Sequence, residues 1–409
     1  MAKADAGGAD LSAMKVTVIG AGVAGLAAAC TLVERGAQVV LHEAAPAAGG
    51  RCRSYFDPAL NCRIDNGNHL LLSGNHAVMA FLNRIGAADT LAGPEDPVFA
   101  FVDVKTKIHW KLRLNRGRLP WWVFAPNRRV PGTKAVDYLA LLKLRRAGVD
   151  DLVAPMLAGA GTLYRNLLEP LAIAALNTPP DVASAAPLRA VVAETIERGG
   201  AASIPRFPRV GLSESFIDPA LAWLAARGAE VRLGSRVSAV VAGEKTILAV
   251  PPWVAVELLP GLVVPCEHQA ILNLHFKCQI DPGETGFWGL VGGVAEWAFA
   301  KGEILSVTVS AANKYAQMDN ATLAALVWAD LRAAFGLAEA MPSHRVVREK
   351  RATFAATPAQ LKLRPGTRTA DNNIMLAGDW TDTGLPATIE GAIRSGNAAA
   401  MAMLEQHAC

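Results

Sequence analysis

An α/β fold built on a Rossmann-type domain is predicted from three places in the chain. Residues 15–20 (KVTVIG) form a β-rich run that passes through Ala21-Gly22-Val23-Ala24-Gly25 into an Ala/Leu-rich stretch reaching about Arg35. That is the order strand, glycine turn, helix. A second β-rich run, 38–42, ends in Glu43, eighteen residues after Gly25. More than 300 residues further on, 373–377 form a short apolar strand that turns at Gly378-Asp379, and 390–404 read as a helix with small residues on one face. Both ends of the chain are then needed to build one nucleotide site, and the intervening chain forms an inserted α+β domain.

Length and hydropathy agree with two domains. At 409 residues the chain exceeds one small core. It is 52% hydrophobic, with a mean hydropathy of +0.26, so membrane spans have to be considered. The one uncharged stretch of eighteen residues, 16–33, contains Gly20, Gly22 and Gly25 at dinucleotide-loop spacing and runs on into another strand. It reads as strand, turn and helix, and not as a span or a secretory signal. Residues 1–13 (MAKADAGGADLSA) are small and polar without apolar periodicity, which predicts a disordered leader ahead of Met14 that stays out of the fold. Cys30, Cys52, Cys62, Cys266, Cys278 and Cys409 form no C-x-x-C pair and no cluster with histidine, so no metal site is expected and a reduced cytoplasmic protein fits.

Charge is unevenly spread. The net charge is +4, yet 104–149 holds twelve Lys/Arg against one acid, Asp137. Trp110, Trp121, Trp122 and Phe124 interleave with these cations, a mixture suited to an anionic membrane surface and to peripheral attachment at the inner membrane face. The competing reading is a solvated face with core aromatics. No groove-reading or single-strand module accompanies the patch, so nucleic acid is not an expected partner.

At the first turn, Gly20, Gly22 and Gly25 permit the tight bend, close approach of backbone to a pyrophosphate, and close helix-on-strand packing, while the helix N-terminus offers free N–H groups. Glu43 can accept both ribose hydroxyls and disfavours a 2′-phosphate, which selects FAD or NAD over NADP. The only other G-x-G, Gly159-Ala160-Gly161, has Tyr164 where a third glycine belongs and no strand before it. A second nucleotide domain is therefore not expected.

FAD is favoured over NAD by Gly49-Gly50-Arg51 and by Leu376-Ala377-Gly378-Asp379-Trp380 with Pro386-Ala387-Thr388-Ile389-Glu390-Gly391-Ala392 and Ser395-Gly396. These resemble the motifs of the flavoprotein amine oxidase and phytoene desaturase superfamily. The resemblance implies a glutathione-reductase-like FAD-binding domain, an Arg51 that approaches the pyrophosphate, Gly378 and Asp379 beside the phosphate or ribityl group, and a helix start at Glu390, Gly391 and Ala392 aimed at the flavin. It also implies that 230–241 is a strand whose Val237 presents its backbone to adenine, followed by a hairpin that is cut short here, at 242–246. The FAD domain is expected over 14–75, 205–255 and 346–409, and the substrate domain over 76–204 and 256–345. Within the latter, 76–85 has helical and 108–114 strand periodicity, while 138–176 reads as helical and apolar.

In the substrate half the resemblance narrows. Asp65-Asn66-Gly67-Asn68-His69-Leu70-Leu71-Leu72, Gly117-Arg118-Leu119-Pro120-Trp121-Trp122, Leu168-Glu169-Pro170-Leu171, Leu176-Asn177-Thr178, Pro208-Arg209-Val210-Gly211-Leu212-Ser213 and Glu296-Trp297-Ala298-Phe299 resemble the hydroxysqualene dehydroxylases of hopanoid synthesis, over nearly the whole chain from Met14. This implies a long isoprenoid substrate and reductive loss of an allylic hydroxyl, with hydride passing from reduced flavin N5 to an allylic cation. Such a site needs a proton donor, for which His69 is the first candidate with Asp65 and Glu296 behind it. Trp110, Trp121, Trp122, Trp253, Trp288 and Trp297 are candidates to line it. Lacking a second nucleotide fold, the chain is expected to draw electrons from a separate flavin reductase. Three alternatives stay open on sequence: an oxidising desaturase of the phytoene or squalene type, a non-redox prenyl carrier of the GDP-dissociation-inhibitor type, and an amine oxidase.

Overall fold

A computed structural model describes residues 11–406. Five parallel strands form the first sheet, in the order Glu230–Arg232, Gln38–His42, Lys15–Ile19, Thr246–Leu248, Ile374–Leu376. The helix Val23–Glu34 follows the first strand and is buried from Val23 to Leu32. It is enclosed because the terminal helix, Ile389–Glu405, lies against it: a Cβ on Gly396 would sit 2.1 Å from the Ala24 carbonyl oxygen, and Thr31 Oγ1 donates to Asn397 Oδ1 at 2.8 Å. The uncharged stretch 16–33 is thus apolar because a central strand and a sandwiched helix have no solvent face. Among the described residues no helix is long and apolar enough to cross a membrane.

A second sheet of seven strands runs His344–Phe354, His268–Lys277, Ile304–Val309, Trp297–Lys301, Phe287–Val291, Val98–Asp103, His109–Arg113. All neighbours are antiparallel except Phe287–Val291 with Val98–Asp103. Strand periodicity gives its two faces different chemistry. Leu274, Phe276, Leu290, Leu305 and Val307 pack with Leu323, Val327, Trp328 and Leu331 of the helix Asn320–Phe335. On the other face, Phe101 stacks on Trp110 at 5.5 Å and meets Trp297 at 5.8 Å, with Phe287 and Phe299 beside them. Further along that face the apolar run gives way to Asn273, His275, Ser306 and Thr308.

Several expectations change. Of the leader expected over 1–13, residues 1–10 lie outside the described residues, while Leu11–Ala13 form one 3-10 turn and Leu11 packs on the nucleotide-domain core. The helix His76–Arg84, expected in the substrate half, places Val78, Phe81 and Leu82 in that same core. Residues 346–354, expected in the nucleotide domain, belong to an eleven-residue strand at the edge of the seven-stranded sheet. The strand expected over 230–241 ends at Arg232, where Ser235 N–H and Gly234 N–H turn to the carbonyls of Glu43 and Ala45. Val237 therefore sits in a loop. The chain then turns within 241–244 and enters the strand at Thr246 directly. The single helical run over 138–176 is instead a series of short 3-10, α and π segments.

Candidate functional site

Gly20, Gly22 and Gly25 perform three different tasks. Gly20 has φ +106, a conformation open to glycine, and a Cβ there would lie 2.3 Å from the Ala249 carbonyl oxygen. A Cβ on Gly25 would lie 1.8 Å from the Gly20 carbonyl oxygen, so this glycine lets the helix close on the turn. A Cβ on Gly22 would meet nothing within 4 Å: this residue caps the helix and faces open space. Glu43 reaches the turn from the end of the second strand, its carboxylate accepting from Ala21 N–H at 2.9 Å and Ala45 N–H at 2.8 Å. Gly49 and Gly50, both at positive φ, bring the next loop alongside, with Gly49 bridged to Gly22.

Arg51 leaves that loop and joins the two ends of the chain. Its guanidinium donates to Asp379 Oδ1 at 2.7 Å and to the Ala352 carbonyl. Burial works against the Arg51 charge, but Asp379, helped by Glu349 and Cys52, outweighs it and raises Arg51 above its ordinary value. Gly378 has φ +151 and a Cβ there would collide with the Trp380 indole, whose Nε1–H donates to the Val250 carbonyl at 2.9 Å. Arg364, not singled out in the sequence, braces this turn by donating to the carbonyls of Leu385, Asp379 and Thr381.

The terminal helix, Ile389–Glu405, starts where it was expected. The carboxylate of Glu390 accepts from Ala77 N–H at 3.0 Å and Val78 N–H at 2.9 Å, capping the helix His76–Arg84, and pairs with Arg394. Gly391 N–H donates to Thr388 Oγ1 and Ala392 N–H to the Thr388 carbonyl. Of the three residues at this helix start, Gly391 and Ala392 thus have their N–H groups bonded to Thr388, the N-cap.

The three proton-donor candidates fall into different environments. Asp65 is 3% exposed and accepts from Lys301 Nζ at 2.6 Å, Ser54 Oγ at 2.6 Å and Leu212 N–H at 2.8 Å. Burial alone would lift its carboxyl, but Lys301 and these hydrogen bonds hold it below the usual range. Asp65 is an ionised structural tie to the 208–213 segment. Burial pushes His69 down to about 4 against a smaller upward pull from Asp65, so the neutral imidazole is favoured at neutral pH over the imidazolium that a proton donor needs. Burial lifts Glu296 to about 7, even though Oε2 accepts from Ser310 N–H at 2.6 Å. It is the candidate of the three that holds a proton near neutrality.

Polar groups missed in the sequence gather around Asn68, next to His69. Asn68 Nδ2 donates to Ser306 Oγ at 2.8 Å and Thr308 Oγ1 at 3.1 Å, Thr308 Oγ1 donates to Asn273 Oδ1, and Glu296 N–H donates to the Thr308 carbonyl. Their signal was available: Asn273 with His275, and Ser306 with Thr308, are polar residues at period two inside apolar strands. Of the six tryptophans, Trp110 and Trp297 lie on the aromatic sheet face. Trp288 packs on Phe335 behind the sheet, Trp122 on Tyr138, and Trp253 on His268, while Trp121 is 51% exposed.

The profile of the family described as flavin containing amine oxidoreductase matches residues 23–277 and 292–404. The hydroxysqualene dehydroxylase of Rhodopseudomonas palustris is 47% identical over 405 residues, covering 94% of this chain and 97% of that protein. That of Sinorhizobium fredii is 45% identical over 404 residues, with the same coverage. The chain belongs to the hydroxysqualene dehydroxylase family. Cyclohexylamine oxidase from Brevibacterium oxydans shares the fold of this hydroxysqualene dehydroxylase family member, with a TM-score of 0.69 at 17% identity over 96% of this chain and 99% of that one. The fold is the expected Rossmann-type FAD-binding domain with an inserted α+β domain, and the chain is an FAD-dependent oxidoreductase.

The residues present fit FAD. Gly22 leaves room in front of a helix N-terminus, and Glu43 stands at the ribose end of the same turn. Asn68 Oδ1, His268 Nε2 and Gln269 Oε1 are buried without a hydrogen-bond partner among the described residues. Burial lowers His268, which also lies close enough to Arg51 and Asp379 to feel both charges. Buried polar atoms of this kind ordinarily face a ligand or water.

Proposed function

We propose that this chain converts hydroxysqualene to squalene, a reductive dehydroxylation in which the allylic hydroxyl takes up a proton and departs as water while a hydride takes its place on carbon. Gly20, Gly22, Gly25, Glu43, Gly49, Gly50 and Arg51 would hold the dinucleotide, with Gly378 and Asp379 at the flavin end. When bound and reduced, FAD supplies the hydride. The observation that carries the reading is the divided sheet face: Phe101 between Trp110 and Trp297 on one side, and the Asn68–Ser306–Thr308 set on the other. An isoprenoid chain matches the aromatic half, where ring faces stabilise a developing cation, and the reacting hydroxyl belongs at the polar half.

Glu296 supplies the proton in this reading. Its carboxyl is held up to about 7 by burial, which keeps a proton available to the departing oxygen. Val237 would present its backbone to adenine from a loop. An anionic membrane surface delivers the water-insoluble substrate, and a separate flavin reductase delivers electrons. The deciding experiment is anaerobic incubation of the flavin-reduced protein with hydroxysqualene: squalene forms in step with flavin oxidation, and unchanged substrate refutes the proposal.

A further inference from the structure

The segment 119–149 carries seven of the seventeen large apolar side chains exposed among the described residues. Leu119 is 80% exposed, Phe124 73% and Leu139 57%. Their outward aim is built in. Trp121–Phe124 and Ala135–Leu139 are 3-10 turns, in which residues three apart share a face, and the second continues through Ala140–Lys143. Trp121 and Phe124 therefore share one stripe, and Val136, Leu139 and Leu142 another. The intervening Trp122 and Tyr138 turn inward and meet edge to face at 5.1 Å, and the Tyr138 hydroxyl accepts from Val130 N–H at 2.9 Å. A solvent-facing helix shows the opposite order, polar outward, so this rigid apolar face is made to be covered.

Charge identifies what covers it. The basic stretch divides in the structure: Lys111 and Arg113 pair with Glu284, Arg116 with Asp96, and Arg145 with Glu197. Arg118, Arg128, Arg129, Lys134, Lys143 and Arg146 have no ion pair among the described residues, and they flank the apolar stripes. The Arg128 guanidinium lies 4.7 Å from the centre of the Trp121 ring. Two copies of such a face would repel each other, whereas an anionic lipid surface meets both its charge and its apolar stripes. We infer that 118–146 is a bilayer-inserting face, with Leu119, Trp121, Phe124, Leu139 and Leu142 below the headgroups and the six cations at their level. This names the surface behind the membrane delivery proposed above and rests on that reading, though not on which alcohol is reduced, so flotation and squalene formation can fail separately.

The test uses the FAD-loaded full chain and flotation with phosphatidylcholine vesicles, with or without phosphatidylglycerol. The wild type floats with the anionic vesicles, and brominated acyl chains quench part of its tryptophan emission, a part lost in Trp121→Phe. Changing Phe124, Leu139 and Leu142 to serine lowers the floated fraction about tenfold or more, as does changing Arg118, Lys143 and Arg146 to glutamine. These positions are exposed, so melting temperature and flavin content serve as controls for folding and stay unchanged. Wild type that remains at the bottom of the gradient overturns the inference. So does a serine variant that floats like wild type, which would mean adsorption by charge alone. A concentration-dependent dimer abolished by the serine variant, without flotation, would assign this face to self-association instead.

Discussion

The Lys301 ammonium lies 2.6 Å from Asp65 Oδ2, across 236 residues of sequence, with 9% and 3% of the two side chains exposed. Removing one partner of a buried pair leaves an uncompensated charge, at a cost of about 3–5 kcal/mol. Asp65→Asn is therefore expected to lower the urea midpoint strongly, and Asp65→Asn with Lys301→Met to recover most of the loss. Because Asp65 titrates below its ordinary value, the stabilisation is present above the usual carboxylate range and is lost as pH falls through the folded value. Equal midpoints for Asp65→Asn and wild type at pH 7 would refute the buried-pair account.

Glu296 and His69 make opposite predictions for pH. Glu296 has a folded value of about 7, above the unfolded one, so its contribution to stability is full below the unfolded value and declines as pH rises through about 7. Glu296→Gln should flatten this decline in melting temperature and reduce kcat at pH 6 by about 10²-fold or more. The alkaline fall in wild-type activity near pH 7 should persist in His69→Gln, since His69 titrates near 4. A limb that moves with His69 and not with Glu296 would return the proton-donor role to the histidine.

The glycines separate folding from cofactor binding. Gly396→Ala places a methyl 2.1 Å from the Ala24 carbonyl oxygen, so the two helices must part, at a cost of about 1–3 kcal/mol or more. Gly22→Ala meets nothing in the protein, and its melting temperature without FAD should match wild type while flavin absorbance is lost. Glu43→Arg should also purify colourless, since one lost charged hydrogen bond costs about 1.5–3 kcal/mol. A yellow Gly22→Ala protein would mean that the pyrophosphate lies elsewhere.

Electron supply gives a kinetic prediction. The G-x-G at 159–161 falls in a 3-10 turn, Ala158–Ala160, that leads to a π-helical turn, with no strand before it to build a second nucleotide fold. Stopped-flow bleaching of the flavin should be slow with NADH or NADPH alone and fast with an added flavin reductase or chemical reductant. Rapid, saturable bleaching by either nicotinamide alone would contradict this.

The sequence by itself determined the glycine turn, the placement of Glu43 beside it, and the return of Gly378-Asp379 to the same sheet. These are short-range patterns in which a missing Cβ or a strand period dictates backbone geometry. It also carried the family likeness of the substrate half. Only the tertiary structure decided what each buried polar group does. Asp65 reads as a candidate acid until Lys301 arrives from a distant strand. Glu390 shows no carboxylate partner in the sequence until the helix His76–Arg84 brings two N–H groups to it. Val237 lost its expected strand because the loop turned back to Glu43. The physical reason is common to all three: a residue's type states how many hydrogen bonds and how much charge it must satisfy, and the partner is chosen by packing between segments hundreds of residues apart.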